Sequence, residues 1–140
     1  MIGNRSMNKY ETRVGSAIIQ EIRDVMEQSL RLPFMIRLEF VVGVSACVQH
    51  LVDEYGLSNG MPEFETETIG DKMYEYAQQF HDFDIAESSA LRLVALYLKA
   101  RTMHGDEARR AVALCEINFS ELAAEAGRML IRLEETCWTI

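Results

Sequence analysis

The stretch ALRLVALYLKA, residues 90–100, decides the fold: nine of its eleven positions are apolar, counting Tyr97. The pattern predicts a helix over about Ile85–Met103, opened by the capping carboxylate of Asp84 and closed by Gly105. Residues 33–56, PFMIRLEFVVGVSACVQHLVDEYG, are comparably apolar. Pro33 suits a first helical turn, where its missing N–H is no loss, and Gly56 followed by Leu57 reads as a C-terminal cap. The β-branched residues in Phe40–Val44 make a strand the competing reading.

Working outward, a first helix is expected from about Asn8 to Leu32, after a flexible N-terminus of residues 1–8. Ile18, Ile22, Val25 and Met26 form its apolar stripe and Pro33 stops it. LSNGMPEFE, residues 57–65, is the clear loop, with Asn-Gly and Met-Pro as breakers. A third helix is expected over about Thr66–Phe80, and residues 81–84 make a turn. Asp106 is expected to cap a fifth helix that runs to about Glu135, with a break near Asn118–Ser120. Ala123, Ala124, Ala126 and Gly127 would let another helix approach it closely. The expected fold is one all-α domain over 1–140, a compact bundle of about five helices. Two of its helices are apolar all round, and a bundle this small can wrap only one of them. The other is expected to meet a partner, most simply a second copy in a homodimer.

The charge is uneven. The net charge is −8, and the segment Asp53–Glu87 alone carries −9, with ten acids against Lys72. The acidic loop–helix unit, residues 57–87, is expected to dock a basic partner protein through Glu63, Glu65, Glu67, Asp71, Glu75, Asp82 and Asp84. Arg92, Lys99, Arg101, Arg109 and Arg110 form a basic stretch that offers an internal alternative for the same acids. The acidic field repels phosphate, so direct nucleic-acid binding is not expected, although Arg109 and Arg110 follow a short turn between helices.

His81-Asp82-Phe83-Asp84 is the densest group of metal-ligating side-chain types, with His50 on the second helix. His50, His81, Asp82 and Asp106 together resemble the ligand set of the helical HD phosphohydrolase family. That resemblance implies a metal held by these four residues and a hydrolytic activity on phosphate esters. It covers isolated residues only: Phe83-Asp84-Ile85 stands where small and basic residues commonly follow the family's His-Asp pair, and Asp106 comes early for the last ligand. No calcium loop fits, because Glu87 occupies the position of the required turn glycine.

Other chemistries lack their motifs. There is no GxxxxGK[ST], no GxGxxG and no GxSxG. Cys47, Cys115 and Cys137 are odd in number and far apart, which argues against a disulfide framework. The N-terminus carries no apolar signal core, so Asn118-Phe119-Ser120 is not read as a glycosylation site and a cytoplasmic location is expected. The longest uncharged apolar run, Phe40–Val52, falls short of a membrane span, so no membrane partner is expected. Tyr74, Tyr76, Phe80 and Phe83 are expected in the core, with a ligand pocket as the alternative. The combined reading is a non-catalytic interaction protein of inhibitor, immunity or adaptor type, with no cofactor. The competing readings are the metal-dependent phosphohydrolase and a small-molecule-sensing helical regulator.

Overall fold

The computed structural model describes residues 2–56, 63–80 and 84–138, with side chains from residue 12 onward except those of 63–65, 76, 79–80 and 137–138. Every element among them is helical: α1 (Ile2–Ser29), α2 (Phe34–Tyr55), α3 (Glu63–Phe80), α4 (Ile85–Arg101) and α5 (Asp106–Trp138). The all-α bundle expected from the sequence is what forms.

The apolar stretch 90–100 belongs to the central helix. Leu93, Val94, Ala95, Leu96, Tyr97, Leu98 and Ala100 are all buried, and α4 packs against each of the other four helices. Alanines at 86, 90, 95 and 100 keep α4 slim enough to be surrounded. Asp84 caps it as expected, its carboxylate accepting the Glu87 N–H at 3.0 Å.

α2 is the helix that is not wrapped. Phe40, Val41 and Val44 are fully buried, whereas Met35 and Val42 lie open on the opposite side. Phe40–Val44 is helical because three of its side chains pack into the core, and that packing overrides β preference. Gly56 ends α2 in the left-handed conformation, φ 60°, and its N–H bonds back to Val52. At 22 residues, α2 is long and apolar enough by length and composition to cross a membrane; here its inner face packs against α4 and α5. The uncharged run Phe40–Val52 understates this length, because α2 begins at Phe34 and continues through Arg37 and Glu39.

Several helix ends differ from the expectation, among them the end of α1, at Ser29 rather than Leu32, and the end of α5, at Trp138 rather than Glu135. α1 begins at Ile2 rather than Asn8, and α3 begins at Glu63, directly after Pro62. α4 stops at Arg101, where the Thr102 hydroxyl donates to the Lys99 carbonyl at 2.8 Å. Asp106 is the first residue of α5 and not its cap; the Gly105 carbonyl accepts the first N–H, from Arg109. α5 is also continuous through Asn118–Ser120. Cys115 and Leu122 are buried on either side of that point, and Phe119 meets Tyr97 edge-on at 5.0 Å, so packing carries the helix across it.

Candidate protein-interaction surface

α3 lies on the outside of the bundle and packs chiefly on α4. Among its described side chains, Thr66, Gly70 and Ala77 are the buried ones, at helical spacing. A Cβ on Gly70 would meet the Leu98 Cβ at 3.2 Å, so the glycine sets how closely α3 seats. This seating turns Glu67, Asp71 and Glu75 outward, one turn apart and exposed, with Lys72 beside them. None of the three forms an ion pair with a described residue.

Of the remaining acidic candidates, Asp84 is engaged in capping α4. Glu63 and Glu65 lie on α3, and their side chains are outside those described; Asp82 is outside the described residues altogether. Among the described residues the basic stretch does not neutralise the acidic unit. Arg92 pairs with Glu21 of α1 at 2.7 Å, Arg110 with Glu107 at 3.1 Å and Arg109 with Asp106, while Arg101 stacks over Tyr97. Among the described residues the internal alternative therefore finds no contact.

The apolar faces divide differently from the sequence reading. α4 is covered. On α2, Met35 and Val42 are separated by exposed Glu39. α5 also exposes large apolar side chains, Ile117, Leu130 and Ile131 being 58%, 48% and 56% exposed. The small residues of α5 also split: Ala126 points into the core, whereas Ala123, Ala124 and Gly127 point outward. The signal for this face was available in the repeat at residues 117, 124 and 131, but burial decides which of two faces is the free one.

Among the described residues no three His, Cys, Asp or Glu side chains gather as a metal-binding group. Asp106 is exposed and ion-paired to Arg109, and the exposed His50 ring stands edge-on to Tyr55 at 6.1 Å. His81 and Asp82 lie outside the described residues.

A cleft of about 250 Å³ between α1, α3 and α4 is lined by more polar than apolar side chains. Three of them already have partners: Ser29 accepts from Arg37, Ser88 donates to the Ile85 carbonyl, and Arg92 donates to Glu21. It is therefore not the apolar pocket expected of a sensor. Tyr74 donates to the Glu21 carboxylate at 3.3 Å, and the side chains of Tyr76, Phe80 and Phe83 are not among those described.

The two described thiols are unactivated. Burial pushes Cys115 up to about 12, with the Glu116 charge adding to it. Burial, then the charge of Glu87, raises Cys47. Cys137 lies outside the described side chains.

No protein-family model, curated protein or solved structure matches the chain.

Proposed function

We propose that the protein is a non-catalytic interaction module, of inhibitor, immunity or adaptor type, that docks a basic partner protein on the acidic side of α3 and associates with a second copy of itself. One observation carries the docking reading. Three carboxylates, Glu67, Asp71 and Glu75, stand exposed one turn apart, and none is ion-paired within the described chain. Like charges at this spacing weaken a helix. A row of them on a helix held only from behind is suited to opposite charge brought by another molecule. The unactivated thiols of Cys47 and Cys115 support a structural role for both residues and fit a reducing, cytoplasmic setting.

The test is affinity capture from the native host with the full chain as bait, beside E67K/D71K/E75K. Circular dichroism checks that the variant folds. The expected result is a basic protein retained by the wild type, released by salt and lost from the variant. Equal capture by both baits removes the docking surface.

A further inference from the structure

The outer side of α5 carries a pattern that a water-facing helix does not need. Ala113, Ile117, Ser120, Ala124, Gly127 and Ile131 are all exposed and follow one another at alternating four- and three-residue steps. That is the spacing of a helix–helix seam. The inner side has its own row, Ala108, Cys115, Leu122 and Met129, and all four are buried. α5 therefore has two apolar stripes, and the bundle covers one.

Gly127 points to what covers the other. Glycine inside a helix is less stable than alanine. Three helical glycines have a neighbour that explains them. A Cβ on Gly15, Gly43 or Gly70 would meet Glu107 at 2.7 Å, Ala90 at 3.3 Å or Leu98 at 3.2 Å. At Gly127 nothing lies within 4 Å of that position. Nothing described within the chain requires a glycine here, whereas a second helix crossing closely would.

The flanking charges identify the second helix. Glu121 and Arg128 stand exposed along one edge of the stripe, and neither forms an ion pair with a described residue. In an antiparallel pair of identical helices, each edge meets its own counterpart. With Ala124 of one copy over Gly127 of the other, Glu121 faces Arg128 twice, by symmetry. The other edge, Ala123 and Leu130, is apolar and pairs with itself. Sliding the helices by seven residues one way sets Glu121 against Glu121, and the other way sets Arg128 against Arg128. A parallel pair sets Glu116 against Glu121. Only one of these arrangements is charge-matched, so the sequence favours one register and penalises its neighbours.

We infer that two copies associate through α5, antiparallel, about a two-fold axis between Ala124 and Gly127, with Glu121 of each facing Arg128 of the other. This deepens the homodimer part of the reading above and rests on it.

Sedimentation velocity on the full chain tests it. The wild type should be a dimer. E121R and R128E should each weaken association by about tenfold, since each turns two attractive contacts into repulsions. E121R/R128E should restore it, because the pairs re-form with their signs exchanged. G127K, which places a charge at the axis, should be a monomer whose thermal midpoint in dilute solution is not lowered. A wild type that stays monomeric overturns this inference and the homodimer together. A wild-type dimer indifferent to both single exchanges, or exchanges that the double variant does not rescue, overturns the α5 assignment alone.

Discussion

Arg37 grips Glu125 through two parallel contacts, Nε to Oε2 at 2.6 Å and Nη2 to Oε1 at 2.9 Å, and ties α2 to α5. Its remaining nitrogen, Nη1, donates to the Ser29 hydroxyl at 2.5 Å, and that hydroxyl donates to the Met26 carbonyl at 2.6 Å. The guanidinium also lies over the Phe40 ring, and the Arg37 side chain is only 10% exposed. One side chain thus joins the end of α1, the start of α2 and the middle of α5.

Removing one partner of such a pair strands a buried charge. Glu125→Ala is expected to cost about 3 kcal/mol, the low end for a buried ion pair, because Glu125 keeps some contact with water. Arg37→Met combined with Glu125→Leu should recover much of that loss, since no charge is then stranded. Urea unfolding of the three variants measures both. A double variant no more stable than Glu125→Ala would show that the site needs the ions themselves.

The same pair predicts a pH dependence. The hydrogen bond from Arg37 holds the Glu125 carboxyl below its ordinary range, against the opposing effect of burial. A carboxyl depressed in the folded state binds its proton more readily in the unfolded chain. Its stabilisation is fully present above the unfolded value, about 4.3, and is lost as pH falls through the folded one. The stability gap between the wild type and Glu125→Gln should therefore hold at neutral pH and narrow as the solution is acidified below that range. A gap that is flat down to strongly acidic pH would contradict the depressed carboxyl.

Much of this fold is legible in the sequence, because the signals are local. Pro33 and Gly56 bracket α2, and Asp84 caps α4 three residues from the N–H it accepts. The Arg37–Glu125 contact is not legible in this way. The two residues are 88 apart in the chain, and Arg37 reads only as an interruption in an apolar helix. The question of which apolar helix is wrapped has the same limit. α2 and α4 look alike in composition, and alanines on α4 that pack against several neighbours make the difference. Among the candidate site residues, Glu67, Asp71 and Glu75 stand exposed as the charge count implied, whereas His50 and Asp106 are drawn to Tyr55 and Arg109. Both pairings are local, and Asp106–Arg109 is an ordinary i, i+3 helix pair.

Two glycines should answer the same substitution with opposite signs. A Cβ at Gly15 would lie 2.7 Å from the Glu107 Cβ and 3.1 Å from backbone atoms of α5, so α1 must move. Gly15→Ala should cost about 1–3 kcal/mol despite alanine's better helix propensity. Gly127→Ala meets open space and should gain about 0.5–1 kcal/mol in protein dilute enough to be monomeric. Paired denaturation curves read both, and a stabilising Gly15→Ala would contradict the close α1–α5 crossing.

Cys115 should be inert in the folded protein. The thiolate is the nucleophile, and a thiol pushed up to about 12 holds almost none of it at neutral pH. Its side chain is also fully buried, so a reagent reaches it only when the bundle opens. In pulsed alkylation with mass-spectrometric readout, Cys115 should be modified in step with global unfolding across a urea series. Rapid labelling without denaturant would show that α5 separates from the core on its own.

Asp71 sits between two like charges on α3, Glu67 before it and Glu75 after it. Each such pair weakens a helix by about 0.2–0.5 kcal/mol, and an attractive pair strengthens it by a similar amount. Asp71→Lys converts both pairs at once, so it should raise stability by about 1 kcal/mol at low ionic strength. For a domain of this size that is about 2–5 °C in the thermal midpoint. Screening should remove most of the gain at about 1 M salt, where the Debye length is about 3 Å. The effect should be concentrated where the charges are. α3 packs chiefly on α4, so amide exchange in α3 should slow while that in α1 and α5 is unchanged. A variant no more stable than the wild type at low salt would mean that these carboxylates are already neutralised within the chain. The acidic row would then lose the unmatched charge on which docking a basic partner depends.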